Sequence, residues 1–299
     1  MKKENKLTES RSDRIFNFIS TVILAILLAV IAYPLYFATI ASISNLNSIN
    51  SGDVIFLPKG VHFDSYIRIF QNNRILIGYR NTIMYTVLGT ILNIFMTMTG
   101  GYALSVKFPG RSVITFLITF TMFFSGGLIP NFFLMKDLGI LDTIWVMILP
   151  GAVSAYNLII ARSFLTSGIP KELFEAAEID GCSRLRFFWW IVIPLSAVLI
   201  SILTLFYAVG HWNSYFNALM YIYKRELYPL QLILRETLIQ NSVPIDEGTM
   251  DPDIVVQMTQ IKELLKYSLV IVASAPMLIM YPFLQKNFVK GVMVGSLKG

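Results

Sequence analysis

The sequence predicts an all-α membrane protein with six transmembrane helices and both termini in the cytoplasm. Three observations predict it. The 299 residues are 55% hydrophobic and only 14% charged, with a mean hydropathy of +0.64, whereas a soluble chain carries roughly a quarter charged residues. The charges cluster between apolar runs that reach the ~20 residues a bilayer-spanning helix needs. Lys and Arg flank those runs and form no stripe, so the net charge of +6 reads as positive-inside flanking and not as a nucleic-acid surface. No linker, low-complexity tract or repeat divides the chain, and a single transmembrane domain, 1–299, accounts for it.

The first span is expected at about 15–40, after Lys2, Lys3, Lys6, Arg11 and Arg14. The apolar run from Ile15 to about Ile43 is roughly twice the core of a signal peptide, and no Ala-x-Ala site follows. It is expected to stay uncleaved, with the N-terminus inside. Residues 41–81 then lie outside, where Asp53, Pro58, Gly60 and Asp64 mark a turn-rich loop. The remaining spans are placed at about 82–106, 112–134, 142–165, 187–210 and 267–285. In the third, Ser125-Gly126-Gly127 and Pro130 predict a kinked or unwound outer end. Asp142-Thr143 offers an N-cap for the fourth, and Pro276 and Pro282 predict a bend in the sixth. Outside again, residues 211–266 hold Ile254, Met258, Ile261 and Leu265 at helical spacing, with Gln257, Gln260 and Glu263 between them. That pattern reads as a surface helix packed on the bundle, or as a contact for an extracellular partner. The predicted inside segments are denser in Lys and Arg than the longer outside ones, as this orientation requires.

One inside segment differs from a plain connection. Ile169 to Pro194, IPKELFEAAEIDGCSRLRFFWWIVIP, is mostly polar and helix-forming, and its core is expected to be a docking loop over 166–190. Pro170 suits a first helical position and Gly181 sits where a helix would stop. A second short helix, Arg184 to Trp190, runs into the next span. Leu173, Ala176 and Ala177 share one helical face, and the alanines would allow a partner's shallow groove to approach closely. Glu175 and Asp180 could accept charge-assisted hydrogen bonds from partner arginines.

Catalytic chemistry is not visible. The sequence holds no Gly-x-x-x-x-Gly-Lys-Ser/Thr loop. His62 and His211 stand far apart in outer segments, and no Ser/His/Asp set or paired carboxylate is placed in a cleft. The single cysteine, Cys182, excludes an intrachain disulfide and a Cys-based metal cluster. No acid or base lies deep within spans 1, 2, 3, 5 or 6, which weakens a proton-driven mechanism. The engine is expected on a partner docked at the 169–194 loop.

Glu175–Gly181 (EAAEIDG), followed by Phe188, Ile191 and Pro194, resembles the coupling loop of permease subunits in ATP-binding-cassette importers. Cys182 departs from the usual small Ala at no expected cost. His211–Tyr221 (HWNSYFNALMY) and Gln285–Gly299 (QKNFVKGVMVGSLKG) are similar to carbohydrate permeases of the maltose type, in the branch for complex oligosaccharides. The resemblance implies a bacterial cytoplasmic-membrane complex of two different permeases, two ATP-binding-cassette subunits and an extracytoplasmic solute-binding protein. ATP and Mg would sit on the partner ATPase, with no cofactor, metal or nucleic acid on this chain. It assigns coupling to Leu173, Glu175, Ala176, Ala177, Asp180, Gly181, Phe188 and Pro194.

Trp212, Asn213, Tyr215 and Asn217 at the outer end of span 5 combine rings with amides, which suits sugars. An interfacial aromatic belt explains the rings equally well and the asparagines less well. Two rival readings stand beside the sugar importer. One is an importer for a polyol or glycerol phosphate; the other is a membrane scaffold or receptor without transport.

Overall fold

The computed structural model describes residues 10–242, 263, 265–280 and 282, and among them every regular element is helical. In chain order these are α1 Arg11–Ala41, α2 Leu46–Asn50, α3 Asp64–Gln71, α4 Asn73–Ser105, α5 Arg111–Phe120, α6 Leu128–Asp137, α7 Trp145–Ile148 and α8 Ala155–Gly168. There follow α9 Lys171–Ile179, α10 Arg184–Phe187, a π-helical turn Phe188–Val192, α11 Ile193–Leu195, α12 Ala197–Trp212, α13 Phe216–Tyr221 and α14 Leu230–Ser242. The last is α15, Leu265–Met280. The chain divides into two compact units, Met1–Ile69 with Val243–Val272 and Phe70–Ser242 with Ala273–Gly299.

In the first unit, α1 begins four residues before the expected span. Ser10 and Asp13 form a capping box: Ser10 Oγ accepts from Ser12 N at 3.2 Å, and the Asp13 carboxylate accepts from Ser10 N at 3.1 Å. Pro34 lies inside the helix without ending it. The loop that follows is turn-rich, as expected, and folds back on itself. Asn45 N donates to Lys59 O at 2.9 Å and His62 N to Ile43 O at 3.0 Å, around Gly60 at φ 65°. Ser42 Oγ meets the Tyr66 hydroxyl at 2.7 Å, and the Ser268 hydroxyl donates to Ser42 O at 3.3 Å.

The second unit is built on α4. This helix buries Gly78, Asn81, Thr82, Tyr85, Thr86, Gly89, Thr90, Asn93, Thr97 and Gly101 on one face. Residues at four-residue spacing lie above one another on a helix, so Asn81, Tyr85, Gly89, Asn93, Thr97 and Gly101 form a single row. The row is small or hydrogen-bonding instead of apolar, the composition by which helices meet in lipid. A Cβ at Gly78 would stand 2.6 Å from Ile233 Cδ1, one at Gly89 2.3 Å from His211 Nε2, and one at Gly101 2.9 Å from Ala161 Cβ. These glycines therefore seat α14, α12 and α8 in turn.

Several expected spans are reshaped. Among the described residues α1 and α4 are long and apolar enough to cross a membrane. The expected span 112–134 is broken between α5 and α6 by residues 121–127, where Gly126-Gly127 marked an unwound end. The span at 142–165 is also broken: α7 is one turn long, and Pro150-Gly151 interrupt before Ser154 caps α8. Asp142 does not cap it. Its backbone sits at φ 58°, outside helical geometry, and its carboxylate is used elsewhere. Span 187–210 bends by 79° between Leu195 and Ala197, after the π-helical turn and Pro194, so α12 is its straight part. Pro194 lacks the N–H that would bond the preceding turn. Pro276 lies within α15. The amphipathic stretch around Ile254, Met258 and Ile261, and the far end of the sixth span, lie outside the described residues.

Gly101→Leu should lower the melting temperature of the purified protein in detergent by several degrees. The new side chain meets Ala161 Cβ and, at 3.3 Å, the Arg162 backbone N, and overpacking of this kind costs ~1–3 kcal/mol. Gly126→Ala, whose nearest contact is Pro130 Cβ at 3.6 Å, should leave it unchanged.

Candidate functional site

The 169–194 loop folds as its punctuation requires. Pro170 is the residue before the first helical one, so α9 starts at Lys171, one position later than expected. Its end is a Schellman motif. Cys182 N donates to Ala177 O at 2.8 Å and Gly181 N to Glu178 O at 3.1 Å, with Gly181 at φ 70°. Ser183 then caps α10 through Arg186 N at 3.3 Å.

The faces of α9 differ from the sequence expectation. Ala177 is only 9% exposed and packs into the bundle core with Phe187, Phe188, Val192 and Leu199. Phe174 accompanies it, edge-on to Phe187 at 5.4 Å. The larger Phe174 turns this face inward, so Ala177, expected at the partner contact, packs internally and is not part of the exposed face of α9. Leu173, Glu175, Ala176 and Asp180 are exposed. Ile179, 87% exposed, and Leu185 beyond the turn add apolar surface there that the sequence reading missed. Glu175 and Asp180 enter no ion pair among the described residues. Phe188 is likewise core, with its ring 5.1 Å from that of Tyr102, while Pro194 stays exposed beside the bend.

At the other end of the second unit, α4 and Asp142 hold the segment 221–230. Asn81 Nδ2 donates to Glu226 O at 2.7 Å and Tyr228 O at 3.0 Å, and the Tyr85 hydroxyl donates to Leu227 O at 2.8 Å. Leu230 N donates to Thr82 Oγ1 at 2.8 Å. Asp142 Oδ1 accepts from Tyr223 N at 2.9 Å and Lys224 N at 2.8 Å, and Lys224 Nζ lies 3.3 Å from Oδ2. The Lys224 backbone N–H is the main cause that holds the Asp142 carboxyl below its ordinary range.

The four residues proposed from sequence for a substrate path do not converge. Trp212 is only 4% exposed; its Nε1 donates to Ala273 O at 3.0 Å and its ring lies 6.2 Å from that of Tyr79. It is a packing residue, because its position on α12 points it into the bundle. Asn213 is exposed and donates to Val209 O of its own helix at 3.0 Å. Tyr215 is exposed under the Arg235 guanidinium, 5.4 Å from the ring centre. Asn217 alone lines a cleft of about 200 Å³, with Gly151, Phe206, Tyr207, His211 and Ser214 among its other walls.

His211 is the residue that sequence reasoning set aside. Its Nε2 lies 2.7 Å from Asn93 Oδ1, and Asn93 Nδ2 donates to Gly151 O. Gly89 and Asn93, four residues apart on α4, were the available signal: one makes room for the ring and the other bonds it.

No family model matches the chain. It is 35% identical over its whole length to Protein LplC of Bacillus subtilis (strain 168), covering 100% of that protein. It is 35% identical to the polygalacturonan/rhamnogalacturonan transport system permease protein YtcP of the same strain, over 96% of this chain and 99% of that one. Among solved structures, a chain of a bacterial ABC transporter involved in the import of the acidic polysaccharide alginate matches with a TM-score of 0.83 and 33% identity. The match covers 94% of this chain and 99% of that one.

Removing the Asp142 carboxylate should free the segment it staples. In Asp142→Ala, the amides of Tyr223 and Lys224 should exchange with deuterium about tenfold faster, the factor expected for a charged hydrogen bond worth ~1.5 kcal/mol. The wild-type staple is present above the ordinary carboxylate pKa and should be lost as pH falls through the depressed one.

Proposed function

The chain belongs to the permease family of ATP-binding-cassette sugar importers, and we propose that it is the membrane subunit through which such an importer moves oligosaccharides into a bacterial cell. The near full-length likeness to a permease named for polysaccharide transport and to a chain of a solved ABC importer carries the reading. One relative's name specifies polygalacturonan and rhamnogalacturonan, and the solved importer takes alginate. Fragments of such polysaccharides are therefore the substrate class. A second, different permease, two ATPase subunits and an extracytoplasmic binding protein complete the assembly, with ATP and Mg held by the ATPase. The chain crosses the cytoplasmic membrane six times: as α1, as α4, as the broken pair α5–α6, as the broken pair α7–α8, as the bent stretch α10–α12, and as α15. Both termini and α9 lie in the cytoplasm.

In this reading α9 docks in a groove of the ATPase. Leu173, Ala176, Ile179 and Leu185 supply its apolar contact, and Glu175 and Asp180 meet partner cations. Gly181 reverses the chain through the Schellman turn. Phe174 and Ala177 tie α9 to Phe187 and Phe188. A displacement of α9 then passes through the π-helical turn and the bend near Pro194 to α12. ATP hydrolysis belongs to the partner, and this chain contributes no catalytic residue.

The decisive experiment is ATP-dependent oligosaccharide uptake by the reconstituted complex. Gly181→Val, at φ 70° with open space around it, strains only the turn. It should leave the chain in the membrane and reduce uptake at least tenfold. Ile179→Asp should release the ATPase on co-purification; retention of the ATPase together with normal uptake would remove this loop from the coupling surface.

Cys182, the single thiol, tests orientation. A membrane-impermeant maleimide should miss it in intact cells and reach it in inside-out vesicles. Vesicles stripped of ATPase should label faster than loaded ones. Labelling from outside intact cells would invert the topology.

A further inference from the structure

The C-terminal end of α4 gathers positive charge that neither transport nor coupling uses. Arg162 Nε of α8 donates to Leu104 O at 3.3 Å, and Arg111 Nη1 of α5 donates to Ser105 O at 3.4 Å. Lys107 follows two residues after Ser105. The two carbonyls are among the last four of α4, which have no partner inside the helix. Holding a helix end thus accounts for one N–H of each arginine, and a guanidinium carries five. Among the described residues none of these three cations meets a carboxylate. The elements that bear them carry no acid of their own: no Asp or Glu stands between Asp64 and Asp137, or between Asp142 and Glu172.

A turn brings two of the cations to one cavity. Pro109 and Gly110 hold the central positions that a type II turn favours for them, with Gly110 at φ 84° and Arg111 N donating to Phe108 O at 3.3 Å. The cavity, about 310 Å³, is lined by Lys107, Phe108, Gly110, Arg111, Ser112 and Val113. Its lining has two characters. Lys107, Arg111 and Ser112 are cationic or hydroxylic, whereas Phe108 and Val113 are apolar and exposed. The apolar side continues onto α5, none of whose residues is buried and where Phe116 and Leu117 are exposed. A soluble anion would satisfy the cations and leave the apolar side wet. An anion with an apolar tail satisfies both.

We propose that this cavity binds the phosphodiester headgroup of an acidic membrane phospholipid, with Lys107 and Arg111 on the phosphate, Ser112 bonding the headgroup and the acyl chains lying along α5. Arg162, held at Leu104 O, adds positive potential nearby. A zwitterionic headgroup offers the same phosphate but brings an ammonium toward the same cations, so the acidic lipid is preferred. The inference rests on the topology proposed above, which sets 106–110 at the cytoplasmic face where α4 and α5 end.

The test is photolabelling of the purified complex of both permeases with the ATPase, in detergent and below saturation. The probes are phosphatidylglycerol and phosphatidylcholine that carry the same diazirine-bearing acyl chain. Phosphatidylglycerol should label the tryptic peptide between Arg111 and Lys136 at least threefold more than phosphatidylcholine does. Lys107→Gln should cut the phosphatidylglycerol label about fivefold, the equivalent of ~1 kcal/mol for one basic residue at an anionic membrane surface, and Lys107→Glu should abolish the preference. Lys107 is exposed and gives up no internal bond, so both variants should melt at the wild-type temperature. Equal labelling by the two lipids, or an undiminished phosphatidylglycerol label in both variants, would overturn the proposal. Displacement of the label by inorganic phosphate would assign the cavity to a free anion and overturn it too. So would loss of the ATPase from the Lys107→Gln complex with its label intact, which would make the cations a protein contact. The lipid preference is read in detergent and does not depend on orientation, whereas Cys182 labelling in cells reads the topology. Cys182 reached from outside defeats the topology; Cys182 on the inside with unselective lipid labelling defeats only the lipid site.

Discussion

Lipid gives two helices no hydrophobic reason to meet, so close approach and hydrogen bonding must hold them together. In the second unit α4 supplies both. Three glycines admit α14, α12 and α8 to distances at which a methyl group would collide. Between them, Asn81, Thr82, Tyr85, Asn93 and Thr97 bond segments distant in sequence. The backbone outside α-helices at 149–154 and 222–229 is tolerable because these side chains satisfy part of it. A backbone polar group left buried and unpaired is costly, and each bond from α4 removes one such cost.

From α4 the architecture runs in two directions. Toward α9, Met98 and Ala161 lead into the core where Phe187, Phe188 and Ala177 meet. Toward the cleft, Gly89 and Asn93 fix His211, and Thr97 shares a 2.7 Å hydrogen bond with Tyr207. Both Leu199 and Tyr207 of α12 belong to the core that receives Ala177. The α9 end of the unit and the cleft are therefore joined by packed side chains on a single helix.

The start and stop of α9 were legible because their signals are backbone signals. Pro170 and Gly181 constrain φ whatever surrounds them, and the helix begins and ends beside them. The break after Phe120 was legible for the same reason, through Gly126-Gly127. Pro150-Gly151 carried an equal warning that hydropathy hid, since the flanking residues are apolar enough to suggest one continuous span. The inward turn of Ala177 and the burial of Trp212 were not legible. Helical spacing says which residues share a face, and only tertiary packing says where that face looks. The α4 row was readable at four-residue spacing but dilutes to nothing in a window that averages over all faces. His211 was misjudged because its partners come from a helix more than a hundred residues earlier.

The π-helical turn at Phe188–Val192 has an implication for how such a chain could change over time. A π-helical turn is an α-helix holding one residue more than its hydrogen bonds would otherwise enclose. Each residue of an α-helix is worth about 100° of rotation. Point substitutions in this stretch alter volume and contact, whereas an insertion or deletion would rotate α9 and α12 against each other by a large fixed angle. The number of residues between α9 and the bend is thus a stepwise angular setting, and descent by substitution alone leaves it where it is.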